Sequence, residues 1–320
     1  MKYGYYPGCS LERNAGAYQE STMAVAERLG LDLAEVDDWN CCGATEYFSI
    51  NLLPAYALVA RNLALAESQG VSKQLVAPCS ACFLNLTKTD RYMMDSPKLA
   101  NDVNTALAAG GLHYTPGSVR VRHLLDIMVN DVGYDAVAAR VAKPLAGLRV
   151  AAYYGCLVVR PGYGGVFDDP EHPTTLDKLM RVLGAEVVDF PMRAQCCGGH
   201  MTQISEGVAF EMIRRLLKNA ADYDADVIAT LCPMCQLNLD VYQINTNQYF
   251  KTDYAIPVLY FTQLMGLAFG ASPAALGIGK EFVDARPALS KIGVTMPPAE
   301  VVKKSAVSKE ALPMPRMEEK

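Results

Sequence analysis

Apolar and polar positions along this chain switch repeatedly between a two-residue and a helical period, and each switch marks a new element. Lys2 to Pro7 reads as a short strand, and Ala15 to Leu29 as a helix with Ala17, Val25 and Leu29 at helical spacing. Leu31 to Val36 is a strand again. Pro54 to Ser68 is a helix whose proline suits a first turn, and Gln74 to Ala77 is a strand feeding a CxxC pair. The same order returns later: strands at Arg149 to Tyr154, Ala185 to Phe190 and Val227 to Leu231, helices at Thr175 to Leu183 and Gly207 to Ala221. Strands alternating with helices predict an α/β protein whose mostly parallel sheets are covered on both faces. In such folds ligands gather beyond the carboxyl ends of the strands, where helix N-termini offer free N–H groups.

Length and composition fit that picture. The 320 residues, 51% hydrophobic and 20% charged, suffice for two cores. A net charge of −5 argues against a nucleic-acid surface, which needs clustered Lys and Arg. Met1 to Gly8 has neither the charged start nor the apolar middle of a secretory signal, so a reducing, cytoplasmic setting is expected. Tyr254 to Gly279 carries no charge and is long enough to cross a bilayer. Pro257, Gly266, Gly270 and Pro273 break it into a turn, a helix of about ten residues and a loop, so no membrane span is expected.

The ten cysteines change the picture most. In chain order they are Cys9, the pair Cys41 and Cys42, and Cys79 and Cys82 as CxxC; then Cys156, the pair Cys196 and Cys197, and Cys232 and Cys235 as CxxC. Between Cys9 and Cys41 lie 31 residues, and 39 lie between Cys156 and Cys196; 36 and 34 separate the pairs from their CxxC. Flanking residues agree: Gly8 and Gly155 precede the first cysteines, Gly43 and Gly198 follow the pairs, and Asn85 and Asn238 lie three residues past the last. The pattern is an internal duplication. It predicts two pseudo-symmetric units, 1–145 and 146–292, joined near Lys143 to Gly147 and followed by a mobile or partner-binding tail, 293–320.

A reducing compartment excludes a disulfide framework. A tetrahedral zinc takes four ligands, and so does an ordinary 2Fe-2S or 4Fe-4S cluster, whereas each half offers five thiols. Neighbouring cysteines diverge on a helix or strand, so two sulfurs reaching different irons is easier than both meeting one small ion. Iron–sulfur is the favoured reading, with zinc in one or both halves the alternative.

The order Cys, CC, CxxC, present twice with CCG at Cys41 to Gly43 and Cys196 to Gly198, resembles the cysteine-rich CCG-domain proteins, specifically the B subunits of heterodisulfide reductases. The resemblance implies two noncubane 4Fe-4S clusters, each held by five cysteine sulfurs. It assigns Cys9, Cys41, Cys42, Cys79 and Cys82 to one and Cys156, Cys196, Cys197, Cys232 and Cys235 to the other. It also implies cleavage or formation of a small-molecule disulfide. No flavin, nicotinamide or ferredoxin fingerprint supplies electrons here, so the implied partners are the two companion subunits of such complexes, one a ferredoxin-like iron–sulfur protein and the other a flavin-containing protein. Two other readings stay open: an electron-relay iron–sulfur subunit of another oxidoreductase complex, and a zinc-scaffolded protein without redox chemistry.

Further candidates surround the cysteines. His200, three residues past Cys197 where Thr45 follows Cys42, is read as a proton donor, a hydrogen-bond donor to sulfur, or a bystander. Asn85 and Asn238 could bond the clusters. Arg160 to Gly165, rich in glycine but not a phosphate loop, is expected near Cys156 at the substrate entrance.

Overall fold

The predicted strands form two separate four-stranded sheets, each parallel throughout, in the computed structural model, which describes residues 1–44, 46–163 and 167–296. The first sheet contains β1 (Lys2–Tyr5), β2 (Asp32–Glu35), β3 (Gln74–Ala77) and β4 (Arg120–His123) in the order β2-β1-β3-β4. The second contains β5 (Arg149–Tyr153), β6 (Glu186–Val187), β7 (Val227–Thr230) and β8 (Val258–Tyr260) in the order β6-β5-β7-β8, the same topology strand for strand. Central strands such as Val227–Thr230 are buried at every position, as parallel strands between two helical layers must be. Residues 297–320 of the expected tail, Thr45, and Gly164 and Gly165 of the glycine-rich loop lie outside the described residues.

Among the described residues eight longer helices connect or flank these strands: α1 (Gly16–Leu29), α2 (Leu52–Gln69), α3 (Ser80–Asp95), α4 (Pro97–Ala108), α5 (Thr175–Val182), α6 (Glu206–Asp222), α7 (Pro233–Phe250) and α8 (Phe261–Ala268). The uncharged stretch from Tyr254 resolves into β8, the eight-residue α8 and a loop with one helical turn at Ala274–Leu276. Leu264 and Met265 of α8 are fully buried, so this apolar run is core. Among the described residues no helix is long and apolar enough to cross a membrane.

Two helices bridge the halves. α1 follows the first strand of the first sheet yet packs on α8 of the second half, with Ser21 Oγ 2.7 Å from Thr262 Oγ1 and Lys280 paired to Glu20 at 2.6 Å. The matching α5 packs on β5 and β6 of its own sheet and also reaches the segment after β4, where Tyr134 donates to the Thr175 carbonyl at 3.2 Å. One apolar core runs through both contacts, from Tyr18 and Val25 to Leu264, and from Leu125 and Met128 to Leu176 and Leu179.

Gly277 shows how closely this seam is packed. Its φ is +66°, and a Cβ there would meet the Ala17 Cα of α1 at 2.7 Å. Backbone cannot retreat as a flexible side chain can. Gly277→Ala is expected to cost about 1–3 kcal/mol, seen as a lower urea midpoint at unchanged slope.

Candidate metal centre

Both sheets deliver cysteines at their carboxyl edges. β1 ends at Tyr5, and Gly8, at φ 75°, turns the chain so that Cys9 opens a one-turn helix, Cys9–Glu12. β3 runs out through Pro78, and Cys79 sits at the N-cap of α3 with Cys82 in its first turn. In the second half Gly155, at φ 68°, precedes Cys156, and Cys232 caps α7 with Cys235 one turn in. The CC pairs lie on loops, Cys41–Cys42 before α2 and Cys196–Cys197 before α6. Helix N-termini thus face four of the ten sulfurs or their neighbours, a setting that favours thiolate over thiol.

The structure brings all ten together, and none is in a disulfide. Cys9 Sγ lies 3.4 Å from Cys41 Sγ, and Cys42 Sγ 3.3 Å from Cys82 Sγ. Cys41 also bonds Cys42, and Cys82 bonds Cys79. The second half sets its thiols in the same order, Cys156 beside Cys196, Cys196 beside Cys197, Cys197 beside Cys235, and Cys235 beside Cys232. Cys79 and Cys232 lie close enough to influence each other's protonation, which brings the two quintets side by side. The thiols therefore run as a chain: among the described residues no three or more close around a single point as one ion requires.

The CC pairs carry charge alike in both halves. Bonds donated by Cys42 and Cys9 pull Cys41 down to about 2 against the opposing effect of burial, helped by the Gly43 N–H at 3.4 Å. Bonds from Cys156 and Cys197, with the Gly198 N–H at 3.3 Å and the nearby Arg160 guanidinium, pull Cys196 down to about 2. Their neighbours Cys42 and Cys197 are pushed up, to about 11 and about 12, first by bonds to those thiolates and then by burial. Cys232 is held well below the ordinary thiol range as well, by bonds from Cys235 and Cys79 against burial, while its counterpart Cys79 is pushed well above it, so protein groups alone sustain one thiolate in the first half and two in the second. Five per half need a compact positive charge among them, which a multinuclear metal cluster supplies, since a coordinated thiol loses its proton outright. The donor set fits such a cluster.

Residues around the sulfurs repeat too. A Cβ on Gly8 would sit 2.8 Å from Cys82 Sγ, and one on Gly155 3.0 Å from Cys235 Sγ, so glycine keeps both cradles open. Tyr6 donates to the Asn40 carbonyl at 2.7 Å and Tyr153 to the Gln195 carbonyl at 2.8 Å, each holding the residue just before its CC pair. Sequence reasoning gives these tyrosines no role. Counting back three residues from Cys9 and from Cys156 finds them both, because position relative to the cysteine is what the duplication preserves.

The two asparagines hold the CCG loops from behind. Asn85 Nδ2 donates to the Cys42 carbonyl at 3.0 Å and to that of Ala44. Asn238 Nδ2 donates to the carbonyls of Cys197 at 3.1 Å and Gly199 at 2.8 Å, and lies 3.4 Å from Cys197 Sγ. Both are buried. Asn238→Ala removes the buried amide that serves both carbonyls and is expected to cost about 1–3 kcal/mol in a urea titration.

His200 lies on the turn Gly199–Gln203, and its Nδ1 pairs with the Glu46 carboxylate of the first half, so the two CCG loops meet through this pair. The sequence offers no signal for Glu46. The loop after Cys156 also reaches across, since Tyr163 OH lies 3.0 Å from Tyr92 OH on α3. Cys9 is exposed, and Cys41, Cys156 and Cys196 are half-buried, while the other six are buried. Each quintet thus has an inner and an accessible side.

Comparison with known proteins agrees with the duplication. The cysteine-rich domain (CCG) family model matches twice, over residues 3–87 and 150–240. The chain is 34% identical over 284 residues to the 8-methylmenaquinol:fumarate reductase membrane anchor subunit of Wolinella succinogenes, covering 89% of this chain and 98% of that protein. It is 30% identical to the B subunit of the ferredoxin:CoB-CoM heterodisulfide reductase of Methanosarcina mazei, covering 91% of this chain and 97% of that one. A crystal structure of a hypothetical protein from Helicobacter pylori shares the fold, with a TM-score of 0.69 and 16% identity over 88% of this chain; the chain spans about half (51%) of that structure's length. With two domain matches, each covering a full Cys, CC, CxxC set, the chain belongs to the cysteine-rich CCG-domain family that includes the heterodisulfide reductase B subunits.

Proposed function

We propose that this chain is the disulfide-converting subunit of a heterodisulfide reductase-like complex, with Cys9, Cys41, Cys42, Cys79 and Cys82 holding one noncubane 4Fe-4S cluster and Cys156, Cys196, Cys197, Cys232 and Cys235 the other. The observation that carries this reading is the arrangement of the two quintets. They have the same internal order, come side by side at Cys79 and Cys232, and keep accessible thiols beside two CCG loops that meet at Glu46 and His200. A disulfide has two like sulfurs, and a pair of like seats facing each other suits it. The units 1–145 and 146–292 would each hold one cluster.

When bound, such clusters supply one electron each. The balanced conversion is RSSR′ + 2e⁻ + 2H⁺ → RSH + R′SH: the S–S bond breaks, both sulfurs are reduced, and each thiolate takes a proton. The electrons come from reduced partners, for which a ferredoxin-like iron–sulfur subunit and a flavin-containing subunit are the expected suppliers in a cytoplasmic assembly. The chain's own groups hold and orient. The paired His200 and Glu46, on the segments that follow the two CC pairs, are the candidates for proton delivery, and Tyr6, Tyr153, Asn85 and Asn238 hold the loops that present the cysteines.

A second reading is favoured by the full-length relative in a quinol:fumarate reductase: the same two clusters relay electrons and bind no thiol. One experiment separates them. Protein purified anaerobically and reduced is mixed with small disulfides of differing polarity, and released thiol is counted alongside the EPR spectrum. Two thiols per disulfide, with signals that shift on thiol binding, supports the first reading. Oxidation by quinone through partner subunits, without thiol release, selects the relay. Colourless protein with about two zinc ions would remove both.

A further inference from the structure

Tyr18, on α1, is fully buried, and its hydroxyl lies 3.1 Å from the Pro78 carbonyl and 3.2 Å from the Leu231 carbonyl. These are equivalent positions in the two halves, each immediately before the first cysteine of its CxxC. One hydroxyl from one half thus binds both CxxC approaches. Its ring is fixed by a parallel stack on Tyr260 of the second half, with centroids 4.2 Å apart and planes 4° from parallel. His123, at the end of β4 and fully buried, lies near the same two residues. Its Nδ1 accepts the Leu125 N–H at 3.1 Å, which leaves the proton on Nε2, 3.5 Å from Ser80 Oγ and near Pro78 and Leu231. Burial pushes His123 down to about 4, so the ring stays neutral through the physiological range.

We propose that Tyr18 and His123 form a clamp across the pseudo-twofold axis that sets the separation of the two CxxC turns, and with it the spacing between the two metal clusters. Both are positioning residues. The proposal rests on the two-cluster reading and adds to it the element that holds the clusters in register. Reaction at two seats at once tolerates little error in their spacing, and about 1 Å of misplacement can cost about a hundredfold in rate.

Tyr18→Phe keeps the stack on Tyr260 and deletes only the shared hydroxyl. In anaerobically purified protein it is expected to leave iron content and the circular dichroism spectrum unchanged while altering the spin coupling between the reduced clusters. Disulfide turnover is expected to fall roughly tenfold to a hundredfold at little-changed KM. His123→Ala should do the same, and His123→Gln, which restores an N–H donor, should recover much of the loss. Unchanged coupling and turnover in Tyr18→Phe overturns the clamp. Should that variant fail to fold, the His123 pair decides on the same readouts. Wild-type protein without two clusters sinks the two-cluster reading instead, and the clamp is then judged in metal-free protein. There, mild oxidation should form a Cys79–Cys232 disulfide in wild type and less of it in Tyr18→Phe; equal yields overturn the clamp.

Discussion

Serine in place of Cys82 or Cys235 is expected to halve the iron carried by anaerobically purified protein, from about eight to about four per chain if each half holds a four-iron cluster. Both thiols are buried, and each bonds two further cysteines of its own quintet, so no neighbouring sulfur is free to replace them. The more discriminating variant leaves every thiol in place. Alanine at Gly8 or Gly155 puts a methyl group 2.8 Å or 3.0 Å from the same two sulfurs, at backbone angles of +75° and +68° that disfavour a side chain. The affected half should lose its cluster as completely as with serine while the other half keeps its own. Iron analysis and EPR on the four variants check this; full iron content in both glycine variants would mean that the cradle tolerates a methyl group beside its sulfurs.

The second large effect lies away from the metal. Arg122 on β4 is buried and donates to Asp126 at 2.6 Å, to Asp131 at 2.6 Å and to Gln74 at 3.0 Å. Tyr3 on β1 donates to the same Asp131 oxygen at 2.6 Å. Arg122→Ala leaves two carboxylates uncompensated next to the sheet and is expected to cost about 3–5 kcal/mol, read as a lower urea midpoint. The cost should depend on pH. Burial alone would push the Asp131 carboxyl up, but the bonds from Arg122 and Tyr3 outweigh it and hold the group below its ordinary range. A carboxylate depressed in this way stabilises the fold fully above its unfolded pKa, and that contribution disappears as pH falls through the lower, folded value. The wild type should therefore lose stability on acidification below the ordinary carboxylate range, and Arg122→Ala should show less of that loss.

Much of this architecture is legible in the amino-acid order. The strands ending at Tyr5, Ala77, Tyr153 and Thr230, with a cysteine just beyond each, follow from local periodicity and from the repeat, both short-range properties. β4 and β8 escape such reading. The first is Arg-Val-Arg-His, polar at three of four positions, because Arg122 is neutralised by aspartates that meet it only after folding. β8 is three residues long and follows Pro257 inside a run that reads as one apolar segment. The contacts of the centre divide the same way. Cysteines, glycines and asparagines repeat and are visible as matched pairs, whereas Tyr18 and Glu46 act on the opposite half, so neither repeat by itself reveals their partners. His200 is visible as a candidate, but its partnership with a carboxylate from the other CCG loop belongs to the tertiary fold.

The bridging of the two halves by α1 and α5 bears on how such a chain could arise. A polypeptide with one copy of this unit would have left the far face of its first crossover helix uncovered, so two identical molecules around a twofold axis would have completed each other. Joining two copies end to end then turns an association that dilution can undo into one that it cannot. It also frees each copy to diverge, and Glu46 facing His200, rather than its own counterpart, is a trace of that freedom.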